Sequence, residues 1–120
     1  MDRIRFGKKG EELAADFLKK AGYDILETNY RSRLGEIDIV AEQDGTLVFV
    51  EVKARSSLKY GDPKAALTDR KKRQISKTAL EFINKKGLSG CRARFDVVAI
   101  QFKDGKPCFE LVRNAFDLAY

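Results

Sequence analysis

Two short apolar segments joined by a turn constrain the fold of this chain more than any other feature. Residues 37–41 and 47–53 are rich in β-branched side chains, and the dipeptide Asp44-Gly45 lies between them. Asp-Gly favours the tight turns that join antiparallel strands, because both residues tolerate the positive φ that such turns need. The sequence therefore predicts a β-hairpin near the middle of the chain.

Helical periodicity and further strands surround this hairpin. Helices are predicted over residues 7–21 and 63–86, the second with a break near Thr68, and each is followed by a glycine. A polar loop is predicted over 55–62, and further strands over 23–27, 94–102 and 108–113. The order of helix, three strands, helix and two strands predicts one α/β domain over 1–120, with a mixed five-stranded sheet flanked by helices.

Composition and charge narrow the class of protein. With 24 basic and 18 acidic residues the net charge is +6, which favours a polyanionic partner such as nucleic acid. The apolar runs are too short to span a membrane, and the basic N-terminus lacks the apolar core of a signal peptide. The expected location is the cytoplasm. The two cysteines, Cys91 and Cys108, leave one disulfide open, although incidental thiols are the simpler interpretation.

The absence of histidine restricts the possible chemistry. It excludes Ser-His-Asp and Cys-His catalysis and every zinc site that uses histidine. Two cysteines cannot form a four-cysteine zinc site either. Any metal must therefore be bound by carboxylates, carbonyls and water, which are the ligands that Mg²⁺, Mn²⁺ and Ca²⁺ prefer.

The second strand of the hairpin carries charge at its end. In the run Leu-Val-Phe-Val-Glu-Val-Lys, alternation puts the valines on one face and Phe49, Glu51 and Lys53 on the other. Charges in an apolar strand are costly unless they are exposed, paired or bound to a metal. Two interpretations follow from the pattern: a surface ion pair of Glu51 with Lys53 or Arg55, and a metal site.

The first strand of the hairpin brings further acids toward Glu51. Alternation predicts Ile37 and Ile39 on one face and Glu36 and Asp38 on the other. Asp38 is then expected to approach Glu51 across the ladder. Two adjacent carboxylates repel each other, and a divalent cation between them removes the repulsion. Glu36 is a weaker candidate, because a residue at a strand start also faces solvent.

In this context the chain resembles the YraN-like proteins, which look like members of the PD-(D/E)XK nuclease superfamily. The resemblance covers nearly the whole chain in the expected order, and its most specific part is Gly-Glu-Ile-Asp at 35–38 followed by Val-Glu-Val-Lys at 50–53. Ile37 stands where the superfamily name has proline, which many members lack. The other matching pieces are Gly10-Glu11 with Ala14, Gly22-Tyr23, Asn29, Ala54-Arg55, Lys71 and Arg-Phe-Asp-Val-Val at 94–98.

The resemblance implies a restriction-endonuclease-like core with a metal-dependent nuclease site. It assigns Asp38 and Glu51 as metal ligands and Lys53 as the catalytic lysine. Glu11 in the first helix would complete the acidic cluster, as in archaeal Holliday junction resolvases. With the carbonyl of Val52 as a further ligand, the site is expected to bind Mg²⁺ or Mn²⁺ and to hydrolyse phosphodiester bonds in branched or single-stranded DNA. The alternatives are a catalytically silent nucleic-acid-binding module of the same fold and a basic protein-interaction domain.

Basic residues near the acids are the candidates for binding the nucleic-acid backbone. Arg31, Arg33 and Arg55 flank the acidic segments, and Lys71 and Lys72 belong to a basic run on the second helix. They are expected to contact phosphates without reading bases. A homodimer is one option, because symmetric cleavage of a junction needs two sites.

Three further residues carry weaker expectations. Tyr30 and Tyr60, predicted in loops, are the best candidates for stacking on unpaired bases. Asp96 is expected to be structural and to pair with a basic residue.

Overall fold

The computed structural model describes residues 3–55 and 67–118 and contains the predicted elements in the predicted order. They are α1 (Arg3–Lys20), β1 (Asp24–Arg31), β2 (Glu36–Gln43), β3 (Thr46–Arg55), α2 (Asp69–Lys86), β4 (Arg92–Lys103) and β5 (Lys106–Phe116). The strands form one five-stranded sheet in the order β1-β2-β3-β4-β5. β3 and β4 are parallel and the other neighbours are antiparallel. The predicted α/β fold with a mixed five-stranded sheet is therefore confirmed, and α2 lies in the crossover that the parallel pair requires.

The two helices pack on opposite faces of the sheet. The cluster under α1 contains Leu18, Val48 and Val50, whereas the cluster under α2 contains Phe49 and Phe82. The alternation predicted for β3 is thus correct, since its valines and Phe49 enter different clusters. No helix among the described residues is long and apolar enough to cross a membrane.

Turn and capping residues set the element boundaries. Asp44 and Gly45 have φ values of 49° and 79°, as a two-residue hairpin turn needs, so the predicted hairpin is confirmed. The hydroxyl of Thr68 accepts the N–H of Lys71 at 3.1 Å and caps α2. The helix therefore begins at Asp69, where a break was predicted. A helix from Pro63 is not supported at Leu67, which is non-helical, and residues 63–66 lie outside the described part, as does the loop predicted after Arg55.

Several elements are longer than predicted, because pairing and packing extend them beyond their periodic cores. α1 begins at Arg3, and β4 and β5 gain residues at both ends around their shared turn. β1 continues to Arg31, since Tyr30 pairs with Ile37 and Arg31 pairs with Glu36. Tyr30, which was predicted in a loop, therefore belongs to a strand.

The alternation predicted for β2 fails between Ile37 and Ile39. Ile37 packs in the cluster under α2, whereas Ile39 packs in the cluster under α1. Asn29, which falls opposite Asp38 in β1, has a φ of 54°. The ladder between β2 and β3 begins only at the pair Ile39 and Val50. The start of β2 is therefore distorted and separated from β3, and this separation creates the site described below.

The two cysteines lie at opposite ends of β4. Cys91 immediately precedes the strand, while Cys108 pairs with Gln101 near its other end. Both are free and exposed, and an extended strand of this length keeps them far beyond disulfide distance.

Candidate metal centre

The centre lies in the gap where β2 and β3 part. Beyond the pair Ile39 and Val50 the ladder stops, and the Asp38 carboxylate accepts the backbone N–H of Val52 at 2.8 Å. A side-chain oxygen thus takes the place of a ladder carbonyl. A strand residue directs its N–H and C=O to the same side, so the carbonyl of Val52 faces this gap as well.

Three acids meet at the gap from two elements. One carboxylate oxygen from each of Glu11, Glu36 and Asp38 lies within 4.8 Å of the others. Glu11 belongs to α1 and the other two to β2. Sequence reasoning put Glu11 and Asp38 in the site and left Glu36 open. The structure includes Glu36, and the alternation that places it on the Asp38 face was the available indication.

A glycine lets α1 approach the sheet beside this cluster. A Cβ on Gly10 would lie 3.2 Å from the Cβ of Ala54, closer than ordinary side-chain contacts. Glycine before Glu11 and alanine after Lys53 therefore bring the helix close to the end of β3. This contact carries the Glu11 carboxylate to the acids of β2.

Glu51 lies beside this group on the end of β3, and only 8% of the residue is exposed. The pKa of Glu51 is raised from 4.5 to about 7, chiefly by burial and then by the charge of Asp38, against the opposing effects of Lys71 and Lys53. The pKa of Glu11 is likewise raised from 4.5 to about 7, chiefly by burial and then by the charge of Asp38. Desolvation likewise raises the pKa of Asp38, although the Val52 N–H opposes it. Without a cation, the simultaneous ionisation of Glu11, Asp38 and Glu51 is therefore unfavourable.

Two lysines converge on one oxygen of Glu51. Lys53 Nζ lies 3.7 Å and Lys71 Nζ 3.9 Å from Glu51 Oε1. Lys53 is adjacent on the same face of β3, whereas Lys71 comes from the first turn of α2. Sequence reasoning foresaw the Glu51–Lys53 neighbourhood but assigned Lys71 to phosphate contact alone.

The other predicted basic residues are distributed around the centre. Arg31 Nε lies 3.6 Å from Glu36 Oε2, and 71% of its side chain is exposed. Arg33 is exposed in the β1–β2 turn, and Lys72 is half-buried beside Lys71. Arg55 ends β3, and its side chain lies outside the described part. Within the described ion pairs, Arg31 and Lys71 contact the acids, whereas Lys72 does not.

The donor atoms fit a hard divalent cation. The cluster offers only carboxylate oxygens, with the Val52 carbonyl beside them, and the chain contains no histidine. Such oxygen ligands suit Mg²⁺, Mn²⁺ or Ca²⁺ and do not suit zinc or copper. Glu11, Glu36 and Asp38 could therefore bind a metal.

Two weaker expectations have opposite outcomes. Tyr30 is not available for stacking, because it is buried in β1 and its hydroxyl donates to Glu81 Oε1 at 2.9 Å. Tyr60 lies outside the described residues. Asp96 is structural as expected: it is fully buried, and Arg94 Nε donates to its Oδ1 at 3.0 Å. The hydroxyl of Tyr23 donates to its other oxygen at 2.8 Å.

The fold and the centre together define a class: an α/β domain with an oxygen-ligand acidic centre where two strands of a mixed sheet part. The chain belongs to the family described as "Uncharacterised protein family UPF0102", which matches residues 10–100. The predicted membership of the YraN-like family is thereby confirmed.

Similar proteins span nearly the same length. The UPF0102 protein of Trichlorobacter lovleyi is 57% identical over 116 residues, which cover 95% of this chain and 91% of that protein. The UPF0102 protein of Syntrophus aciditrophicus is 51% identical over 117 residues, which cover 98% and 92%. The solved structure of Pyrococcus furiosus SfsA in complex with Ca²⁺ aligns with a TM-score of 0.43 and 14% identity. That alignment covers 93% of this chain and 62% of SfsA, so the chain spans less than two thirds of SfsA.

Proposed function

We propose that this protein is a divalent-cation-dependent nuclease that hydrolyses phosphodiester bonds, with DNA as the expected substrate. The observation that carries the proposal is the cluster of Glu11, Glu36 and Asp38 at the gap between β2 and β3. Buried Glu51 lies close enough to feel the charge of Asp38, and two lysines contact it. Buried acids that raise one another's pKa are typical of functional sites. We assign Asp38, Glu51 and Glu11 as ligands, with the Val52 carbonyl.

Contacts within the protein position Asp38 and Glu11 in the absence of a cation. The Val52 N–H holds Asp38 at 2.8 Å, and the contact between Gly10 and Ala54 fixes the helix that carries Glu11. A bound Mg²⁺ or Mn²⁺ would supply Lewis acidity, polarising the scissile phosphate and making an attacking water more acidic. Preorganised ligands matter because the geometry is then set without further rearrangement.

We propose that Lys53 and Lys71 bind the scissile phosphate. Lys53 and Lys71 both contact Glu51 Oε1 in the protein alone, at 3.7 and 3.9 Å. With a cation bound by that carboxylate, both ammonium groups would be free to donate to a phosphate oxygen, since like charges repel. We assign Lys53 the role of orienting the water and stabilising negative charge in the transition state.

The charge distribution favours one approach for the nucleic-acid backbone. A cleft of about 420 Å³ between α1 and β1 is lined by Glu11, Glu12 and Asp16 together with Lys19, so acids predominate there and the cleft beyond Glu11 does not favour a phosphate backbone. The basic candidates are Arg31 at the end of β1, Arg33 in the β1–β2 turn, and Lys71 and Lys72 in the first turn of α2. We therefore place the backbone across the β1–β2 turn and the start of α2, with Arg55 as a further predicted contact.

Cleavage of labelled branched, single-stranded and duplex DNA, and of matched RNA, with Mg²⁺ or Mn²⁺ tests the proposal. Replacing Glu51 by glutamine keeps the side-chain shape, and we expect it to reduce cleavage by at least about 100-fold, since even residues that only support metal ligands cost about 10–100-fold. Glu12→Gln, on the exposed side of α1, is the matched control and should cleave like wild type.

Two results would contradict the nuclease assignment. One is cleavage that Glu51→Gln leaves unchanged, and the other is a wild-type protein that does not bind Mn²⁺. Salt-sensitive DNA binding without cleavage would instead favour a silent nucleic-acid-binding module.

We further propose that residues 1–120 form one domain that acts in the cytoplasm. In that compartment the exposed free thiols of Cys91 and Cys108 would stay reduced. If four-way junctions prove to be the substrate, we expect a homodimer, which sedimentation of the protein alone would test.

A further inference from the structure

The turn between β1 and β2 (residues 32–35) presents an exposed leucine beside the acidic centre. Leu34 is 45% exposed, and exposed Arg33 precedes it. Arg31, at the end of β1, contributes a second exposed guanidinium. The turn leads directly into Glu36, whose carboxylate belongs to the acidic cluster. An exposed leucine that follows two exposed arginines therefore lies at the margin of the centre.

Several contacts hold this turn in one conformation. Ser32 N–H donates to the Gly35 carbonyl at 2.9 Å, and Leu34 N–H donates to Ser32 Oγ at 3.1 Å. The Gly35 backbone lies directly against α2, because a Cβ there would be 2.8 Å from Thr78 Oγ1. Hydrogen bonds from Ser32 and Tyr30 also reach Glu81 of α2. These contacts hold the backbone at Leu34 in place while its side chain remains exposed.

Exposure alone does not distinguish Leu34, since single exposed leucines are common on protein surfaces. Among the described residues, Leu26 is 50% and Leu118 39% exposed. Neither has an arginine within three residues, and neither leads into a strand that carries the acids. What distinguishes Leu34 is its hydrogen-bonded turn, the two exposed arginines that precede it within three residues, and its position two residues before Glu36.

The geometry points to Leu34 as an apolar wedge that contacts the face of an unstacked base while Arg31 and Arg33 bind the adjoining phosphates. Base faces are apolar and phosphates are anionic, so this arrangement of side chains matches one nucleotide step. In an intact duplex, stacking covers the base faces. We therefore infer that the substrate class is nucleic acid with an exposed base, at a branch or at a junction of single and double strand. This inference rests on the proposed function.

A fork binding assay tests the wedge without depending on cleavage. The probes are a DNA fork with 2-aminopurine at the first unpaired position and a duplex of the same length, both with Ca²⁺. We expect wild type to bind the fork at least about tenfold more tightly than the duplex and to raise the 2-aminopurine fluorescence, as unstacking does. Leu34→Ser should lose most of both effects and keep its duplex affinity, whereas Leu34→Met should retain them. Leu26→Ser, a matched change at another exposed leucine, should behave like wild type.

Three results would overturn the inference: equal wild-type affinity for fork and duplex, a Leu34→Ser protein that keeps both effects, or a Leu26→Ser protein that loses them equally. Cleavage by the same proteins with Mn²⁺ separates this failure from that of the nuclease proposal. If Glu51→Gln abolishes cleavage while Leu34→Ser matches wild type on the fork, only the wedge is wrong. If Glu51→Gln leaves cleavage unchanged, the nuclease proposal itself fails.

Discussion

Replacing Glu51 by glutamine should stabilise the metal-free protein above neutral pH while removing the proposed metal site. The residue is 8% exposed, and the pKa of its carboxyl group is about 7 in the folded chain against an ordinary value of 4.5. Ionising it inside the protein therefore costs free energy that ionising it in the unfolded chain does not. Glutamine has a similar shape and no charge, so it avoids this cost.

The sign and size of the effect follow from the two pKa values. Below pH 4.5 the group is protonated in both states and contributes no pH-dependent term. Between 4.5 and about 7 the folded state binds more protons, so the free energy of unfolding falls as pH rises. Above about 7 the full cost is present, and at about 1.4 kcal/mol for each pH unit it reaches about 3 kcal/mol. Losing the contacts to Lys53 and Lys71 offsets part of this gain, which leaves about 1–3 kcal/mol in favour of glutamine.

Urea unfolding with EDTA at pH 5 and pH 8 measures the difference. We expect the two proteins to differ little at pH 5 and Glu51→Gln to be more stable at pH 8. In thermal unfolding at pH 8, its Tm should be higher by roughly 4 °C for each kcal/mol. Glu12→Gln should change neither value. Other acids contribute pH dependence to both proteins, so the change in the difference between them isolates Glu51.

The stability difference at pH 8 shows whether ionised Glu51 destabilises the fold. A Glu51→Gln protein that is less stable than wild type by the same amount at both pH values would show that Glu51 is held favourably and that its ionisation carries no cost. Adding Mn²⁺ gives a second check, because a ligand stabilises only the protein that binds it. Wild type should gain stability with Mn²⁺ and Glu51→Gln should not.

Three further predictions follow from single contacts. Lys71→Met should raise the Mn²⁺ affinity of the DNA-free protein at pH 9 on the order of fivefold, since a nearby positive charge is removed, and calorimetry would measure it. Tyr23→Phe should lower the free energy of unfolding by about 1–2 kcal/mol in urea titrations, because the buried Asp96 loses a 2.8 Å hydrogen bond. Gly35→Ala should cost about 1–3 kcal/mol, as its Cβ would meet Thr78 Oγ1 at 2.8 Å, and unchanged stability would refute that contact.

Much of the fold could be predicted because its determinants are local. The Asp44-Gly45 turn, the Gly87 cap and the helical stripes act within a few residues, and each is where the pattern placed it. Strand lengths were underestimated where pairing with a neighbouring strand sets the end of the strand. β1 contains polar residues beyond Glu27 that look like a loop, yet β2 pairs with them as far as Arg31. For the same reason Tyr30 was assigned to a stacking surface when it belongs to the core.

The irregular start of β2 could not be read from alternation. Period-two patterning places Ile37 and Ile39 together, but they pack under different helices. The distortion depends on the left-handed backbone at Asn29 in the neighbouring strand and on the absence of β3 beside Asp38. Both belong to the pairing of strands and not to the segment itself.

By itself, the sequence determined the order of helices and strands, the hairpin at the centre, and a chemistry limited to oxygen ligands by the lack of histidine. It also placed Glu51 and Lys53 on one face, since that depends only on the pleat of a single strand. Only the tertiary structure decided that Glu11 meets the acids of β2, that Lys71 reaches Glu51, and that the turn at Gly35 rests on α2. These contacts join residues from different elements, so they depend on strand register and helix docking, which no local pattern specifies.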